Sequence, residues 1–328
     1  MFKHSFFTRP FLLLLAIFGF GISALPLVSN AQTLTWSNPY EISWIQVGGQ
    51  LNGVGGVGTA VWNSKLYVAY ADNSLNGKVW LTSTTDGTIF STPVQVKVSG
   101  PQTVYSYGNP SLAVFNGSLV VAFIDNYGGG SYVYTSDGIN FGYLLNSFTS
   151  SNVTALDSPS MTVYNNKLYI GFRTSTSTLG IDTITTLGTY NTPSVYSNFS
   201  LGDSPGLGVF NGKLFAGYRD TSGSHYIYLA ESSDGVNFYL NQGATGSHTS
   251  TAVSLAVYNN IFYIAFRQNS SGDHLFYTYS SDGIHYSAPI EVGWTMGGPP
   301  SVSVYNGYLF DVFRQNDTGH YLFTAYAY

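Results

Sequence analysis

The chain has 328 residues, of which 8% are charged and 16% aromatic, with a formal net charge of −5. So low a charge content beside so many aromatics excludes a disordered chain and argues against a helical protein built on Glu, Lys and Ala. Eleven basic against 16 acidic residues make no cationic field for nucleic acid, and the lack of cysteine excludes disulfides, thiol catalysis and thiolate metal sites.

Residues 1–31 read as a secretory signal peptide. Lys3, His4 and Arg9 make a short basic start, Phe11 to Ile22 is apolar, and Ser29-Asn30-Ala31 sets small residues around a cleavage site. The apolar run is too short to span a bilayer, and no later segment is apolar enough to do so. The expected mature product, residues 32–328, is a single secreted domain, extracellular or periplasmic. Cleavage near Ala31 removes Lys3 and Arg9 and takes the charge from −5 to −7.

The mature chain opens with LTWSNPYEIS, a strand with no hairpin partner. It aligns with two later segments, IFSTPVQVK and IHYSAPIEV, which sets Trp36 on Phe90 and Tyr286, and Pro39 on Pro93 and Pro289. One phrase then recurs six times: AVWNSKLYVAY, AVFNGSLVVAF, TVYNNKLYIGF, GVFNGKLFAGY, AVYNNIFYIAF and SVYNGYLFDVF. Its asparagine falls at Asn63, Asn116, Asn165, Asn211, Asn259 and Asn306. Each phrase predicts a hairpin, because two β-branched and aromatic runs flank a two-residue turn of the residues that best tolerate positive φ. A third strand follows (VWLTST, YVYTS, YIYLAES, LFYTYSS), then a tight turn and a fourth strand. Four antiparallel strands per repeat make a propeller blade. The sixth repeat stops at Tyr328 inside its third strand, so the orphan first strand supplies its missing outer one. The prediction is an all-β, six-bladed β-propeller closed by its N-terminal strand, an arrangement that hides open sheet edges.

Between the third and fourth strands, C and D, stand Thr84-Thr85-Asp86-Gly87-Thr88-Ile89-Phe90, Thr135-Ser136-Asp137-Gly138-Ile139-Asn140-Phe141, Ser232-Ser233-Asp234-Gly235-Val236-Asn237-Phe238 and Ser280-Ser281-Asp282-Gly283-Ile284-His285-Tyr286. These segments resemble the Asp-box of sialidase-type propellers, Ser-x-Asp-x-Gly-x-x-Trp, shortened by one residue and with Phe or Tyr for Trp. Blade 3 keeps only Gly188 and Tyr190, and blade 6 has no such turn. The resemblance implies a structural role on the face away from an active site. Asp86, Asp137, Asp234 and Asp282 should bind backbone N–H groups, the glycine should take the left-handed conformation, and the aromatic should pack between blades.

Blade geometry puts the B–C loops and D–A connections on the opposite face. Beyond the leader there are four arginines, Arg173, Arg219, Arg267 and Arg314, and all end strand B, in blades 3 to 6. Ala71 and Ile124 stand there in blades 1 and 2. Asp220, Gln268 and Gln315 follow the last three arginines, and His225, His274 and His320 come at the start of strand C. Hairpin register sets Asp157 opposite Arg173 and Asp203 opposite Arg219, which would satisfy both arginines. Arg267 faces Thr251 or Ala252, and Arg314 faces Gly298 or Pro299, so neither gains a carboxylate this way. The alternative to a structural role is ligand contact: an arginine fork matches sugar hydroxyls or a carboxylate, His adds a donor or acceptor, and aromatics stack on pyranose faces. Repeated weak sites give avidity for a multivalent glycan. In architecture and composition the chain is similar to six-bladed propeller lectins.

The sialidase resemblance also implies an enzyme alternative, with three arginines on a carboxylate, a Tyr/Glu nucleophile pair and an Asp acid. The chain departs from that pattern: no Arg-Ile-Pro segment occurs, and glutamate is reduced to Glu41, Glu231 and Glu291 after the leader. A glycosidase needs two carboxylates across one bond, and the available ones are Asp72, Asp125, Asp157, Asp203 and Asp220. Asp311 breaks pattern, standing where the other blades have Val68, Val121, Ile170, Ala216 and Ile264. It is the weak catalytic candidate, since a carboxylate in an apolar strand must be paired or wet. The histidines lie one per blade, which gives no metal site, and no cofactor is expected. The expected function is noncatalytic binding of glycans or glycoconjugates on the B–C loop face. A sialidase-like glycoside hydrolase and a protein-binding scaffold are the alternatives.

Overall fold

The computed structural model describes residues 33–46, 55–72, 74, 77–98, 102–125, 128–142, 145–146, 148, 155–189, 192–241, 245–269, 272–316 and 319–328. The expected signal peptide and cleavage site, and Tyr190, lie outside them. All described residues belong to one compact unit, Ala31–Tyr328. Among them no helix is long and apolar enough to cross a membrane.

Six four-stranded antiparallel sheets form the blades of a β-propeller. Strands A to C of blade 1 are Val57–Trp62, Lys65–Ala71 and Val79–Thr84; of blade 2, Ser111–Phe115, Ser118–Ile124 and Gly130–Thr135; of blade 3, Ala155–Tyr164, Lys167–Thr174 and Thr178–Ile184. Blade 4 has Gly206–Phe210, Lys213–Arg219 and Ile227–Ser232; blade 5 has Ser254–Tyr258, Ile261–Arg267 and His274–Ser280; blade 6 has Ser301–Tyr305, Tyr308–Arg314 and Tyr321–Ala327. The outer strands D are Val94–Gln95, Leu145–Asn146, Ser194–Ser200, Tyr239–Leu240 and Ile290–Thr295. Blade 6 takes its outer strand from the start of the chain: Tyr40–Gln46 pairs with Tyr321–Ala327, and Trp36 bridges Ala327. The orphan strand closes the ring as its sequence requires.

The hairpin turns have the conformation their residues favour. Asn63 and Ser64 lie at φ 47° and 58°, Asn165 and Asn166 at 46° and 56°, and Asn306 and Gly307 at 48° and 79°. Two positive φ values in succession define a type I′ turn, whose twist matches the flanking strands.

Core and ring closure arise together, because the apolar core is divided into six clusters, one between each adjacent pair of blades. Polar bonds tie the same interfaces. Just before the A–B turn, Trp62 Nε1 donates to Gly117 O at 2.9 Å, Tyr164 Oη to Gly212 O at 2.8 Å, Tyr258 Oη to Gly307 O at 2.9 Å and Tyr305 Oη to Ser64 O at 2.9 Å. Each bond reaches one blade forward, and the last joins blade 6 to blade 1. Phe115 and Phe210 occupy this position in blades 2 and 4 and carry no donor. Around the axis a second relay runs from Gly56 N to Asn109 Oδ1 (2.5 Å), Asn109 N to Ser158 Oγ (2.7 Å) and Ser158 N to Ser204 Oγ (2.8 Å).

Candidate functional site

The four arginines stand where the sequence sets them, at the ends of strands B, and the chain itself engages their guanidinium groups. Arg173 meets Asp157 at 2.6 Å. Its strand partner is Leu156, because a bulge between Leu156 and Ser160 shifts the register and holds Asp157 at φ 61°. Arg219 lies 4.0 Å from Asp203 and donates to the carbonyl of Gly202. Arg314 is buried and donates to Gly297 O. Arg267 corrects the expectation that it lacks a carboxylate: its Nε donates to Asp273 Oδ1 at 3.0 Å, and its Nη2 reaches the same oxygen. Asp273 lies in the B–C loop, outside the hairpin on which the register argument rests.

The histidines do not form one equivalent set. Six residues past the arginine, the B–C loop needs a left-handed residue, and His225 and His320 occupy it at φ 55°. In blade 5 Asp273 fills that place at φ 50°, so His274 falls one residue later, starts strand C and pairs with Glu291 on the outer strand. His225 and His320 thus share a repeat position, and His274 does not belong to it.

Asp220, Gln268 and Gln315 do occupy equivalent positions. Each forms an isolated bridge with the D–A connection: Leu201 with Asp220, Thr249 with Gln268 and Met296 with Gln315. Side chains two apart on a strand share a face. The residue two before each is aromatic, and so is its partner on strand C. Tyr218 and Tyr228 lie 6.1 Å apart at 27°, Phe266 and Phe276 6.1 Å at 25°, and Phe313 and Phe323 6.0 Å at 21°. In blade 1 Tyr70 pairs with Trp80 in the same register, beside Asp72. Four blades therefore repeat an aromatic, polar, aromatic constellation facing the preceding blade. Sequence reasoning found the polar member and missed the aromatics, although superposing strands B and C blade by blade reveals them.

The copies differ in what is left for a ligand. In blade 1 Asp72 accepts from Ser74 N at 3.1 Å, Lys78 N at 3.0 Å and Trp80 Nε1 at 2.9 Å. Burial pushes its carboxyl up, but these bonds outweigh that and hold it below its usual range. In blade 4 Asp220 accepts from Ser222 Oγ at 2.6 Å through Oδ2, while its Oδ1 and His225 Nδ1 are buried with no partner among the described residues. Between blades 5 and 6 the constellation opens into a cavity of about 190 Å³, lined by Pro39, Gly293, Trp294, Thr295, Phe313, Gln315 and Phe323. Trp294 stacks on Phe313 at 5.6 Å and 9°, extending the Phe313–Phe323 pair into a three-ring ladder.

A second cavity, of about 120 Å³, lies on the axis and is lined by the starts of strand A, among them Ser111, Ser160, Ser254 and Ser301. Asp157 and Asp203 each precede a serine, Ser158 and Ser204, that also lines it. Burial, with the neighbouring Asp157 carboxylate, pushes Asp203 up to about 6 against the pull of Arg219 and Arg173. Asp311 is not presented to this cavity. It is fully buried, and its Oδ1 accepts the Ser301 backbone N–H at 3.0 Å. Burial pushes it up to about 7. Asp182, which the sequence argument passed over, is likewise fully buried on strand C of blade 3 and pushed up to about 6 by burial. Among the described residues no three His, Asp or Glu side chains gather closely enough to hold a metal ion.

On the opposite face the four C–D turns repeat one geometry. Oδ1 of Asp86, Asp137, Asp234 and Asp282 accepts two consecutive backbone N–H groups at 2.7–2.8 Å. Gly87, Gly138, Gly235 and Gly283 have φ from 74° to 84°. Phe90, Phe141 and Phe238 are buried in the inter-blade clusters, and Tyr286 packs against another.

This is a six-bladed β-propeller of sialidase-like architecture. It is similar to an α-L-arabinanase from Penicillium chrysogenum complexed with arabinobiose, with a TM-score of 0.65 and 12% identity over 90% of this chain and 98% of that one. A lectin mutant from Aleuria aurantia in complex with α-methyl-L-fucoside gives 0.58 and 12%, covering 82% and 90%. A Trypanosoma rangeli sialidase mutant displaying trans-sialidase activity gives 0.59 and 13%, covering 90% of this chain and 60% of that one. At these identities the likeness is one of fold. No family model matches the chain, and no curated protein matches it.

Proposed function

We propose that this is an exported carbohydrate-binding propeller that holds sugar residues of glycans or glycoconjugates between blades, on the B–C loop face, without cleaving them. The observation that carries the reading is the cavity between blades 5 and 6, where the Trp294–Phe313–Phe323 ladder stands beside the carboxamide of Gln315. Aromatic faces stack on the C–H faces of a pyranose, and a carboxamide both donates to and accepts from its hydroxyls. Related constellations in blades 4 and 5 extend the same chemistry around the ring. The arginines enter this reading as supports, since their guanidinium groups already meet Asp157, Gly202 O, Asp273 and Gly297 O.

Hydrolysis is the second reading, and Asp157 with Asp203 favours it. These adjacent carboxylates, one beside Arg173 and the other held up to about 6, break the ring's symmetry at the axis. A carboxyl raised by burial suits a general acid, and the carboxylate beside it, paired with an arginine, suits a base. A glycan array probed with residues 32–328, run beside fluorogenic glycosides on the same preparation, separates the two. Binding without turnover is expected. Turnover abolished by Asp203→Asn would replace the binding reading with the hydrolytic one.

A further inference from the structure

The lining of the cavity between blades 5 and 6 sets the class of sugar it takes. No Asp, Glu, Lys, Arg or His is among the seven residues that line it. Arg314, the residue after Phe313, points to the other face of its strand and donates to Gly297 O. His274, on the neighbouring blade, is paired with Glu291. On the rim the charge is negative: Glu41 stands directly opposite Phe323 in the pairing of the outer strand, so both side chains leave the same face of the sheet. Glu41 is exposed and Phe323 half-buried.

We propose that this cavity is a site for one neutral pyranose residue and that it rejects uronates and sialosides. The inference rests on the carbohydrate reading above. A volume of about 190 Å³ is smaller than the roughly 300–1,000 Å³ of drug-sized pockets, and it fits one terminal ring rather than a chain interior. Trp294 and Phe323, the half-buried outer rings of the ladder, offer apolar surface to ring C–H groups, and the Gln315 carboxamide reaches ring hydroxyls. A carboxylate in the same place would lose its water, find no cation and face Glu41, a cost that neutral hydroxyls avoid.

The test titrates the mature chain with methyl hexopyranosides and with the matching methyl hexopyranosiduronates and a methyl sialoside, followed by calorimetry. Neutral glycosides should bind at least about tenfold more tightly than their uronates. Gln315→Ala should weaken the neutral sugar about tenfold with the melting temperature preserved, and Gln315→Lys should shift preference towards the uronate. Equal or tighter binding of uronates or the sialoside by the unaltered protein overturns the inference and leaves the carbohydrate reading standing. Neutral binding untouched by both Gln315 variants moves the sugar elsewhere and overturns the assignment of this cavity. If no glycoside of either class binds, the carbohydrate reading itself falls.

Discussion

Asp311 makes the stability of the ring depend on pH in a direction opposite to that of most proteins. Its carboxyl is fully buried in strand B of blade 6 and bonded through Oδ1 to the Ser301 N–H, while Oδ2 meets no partner among the described residues. Burial therefore favours the protonated form and pushes the group from 3.8 to about 7. A carboxyl raised on folding binds its proton more tightly in the native state, so its contribution is complete below about pH 4 and is lost as pH rises to 7. For this one group the loss is about 4 kcal/mol. Asp182, raised to about 6, adds a loss of the same sign over the lower part of that window. The turn aspartates oppose it at the acid end. Backbone bonds hold Asp86 down at about 2, and Asp137 and Asp234 lower still, so their contribution fades below about pH 4. Stability should therefore peak near pH 4–5 and decline towards pH 8. Thermal melts should show a fall of roughly 8 °C from Asp311 alone, at about 2 °C per kcal/mol for a chain of this size. Asp311→Asn keeps an oxygen for the Ser301 N–H and cannot ionise, so it should flatten much of the slope and melt higher than the unaltered protein at pH 8. A melting temperature that holds level or rises from pH 5 to pH 8, or an Asn variant with the unaltered slope, refutes the reasoning.

Three further outcomes follow from contacts across blades and loops. Tyr305→Phe removes the hydroxyl that donates to Ser64 O and Thr85 O, the bonds that close blade 6 on blade 1. It should cost about 1–3 kcal/mol in denaturant unfolding, whereas a loss below 0.5 kcal/mol would show that apolar packing alone closes the ring. Gly235→Ala is expected to lower the melting temperature sharply, because φ is 74° and the new Cβ would lie 2.1 Å from Tyr169 Oη; an unchanged melt would mean that the turn relaxes freely. Arg267→Ala leaves Asp273 with only the Asn316 amide, which donates to its Oδ2 at 3.1 Å, so calorimetry should record a small loss of stability, about 1 kcal/mol, with glycan affinity unchanged. Affinity lost at full stability would return that arginine to the binding site.

The propeller was legible because its determinants are local and repeated six times. An Asn-led turn between β-branched runs fixes a hairpin by its own backbone preferences, and the unpaired first strand leaves one place to dock. The site was less legible because its determinants are local in a different way. Asp157 reaches Arg173 through a bulge that no counting of hairpin residues anticipates. Asp273 reaches Arg267 from a loop whose left-handed position accepts His or Asp, so matching histidines by type groups His274, which starts strand C, with two residues whose place it does not share. The stacked pairs Phe266–Phe276 and Phe313–Phe323 were visible as aromatics, yet in a chain this rich in them only the register distinguishes a repeated pair from ordinary core. Asp182 went unnoticed because strand C varies more between blades than the hairpin does, and its apolar surroundings come from the neighbouring blade.

The blades that lost the aromatic, polar, aromatic constellation explain why the cavity opens where it does. Blades 2 and 3 carry Ser131 and Gly180 in place of the second aromatic, and the space is filled from within: a Cβ on Gly180 would lie 2.4 Å from the Phe172 ring. Blade 1 spends Asp72 on its own loop and on Trp80. Blade 6 differs because its outer wall is borrowed. The chain start brings Pro39 to the cavity, and the long outer strand of blade 5 brings Gly293, Trp294 and Thr295. Closing the ring and forming the pocket are therefore one event, since the segment that completes the last sheet also completes the lining. Anything that binds there acts on the native ring and not on the unfolded chain, so it must stabilise closure by mass action, by about 2.7 kcal/mol at a hundredfold excess over its Kd. A ligand seated in blade 4, away from the chain start, would stabilise the fold by the same law without fastening the first strand to the last blade.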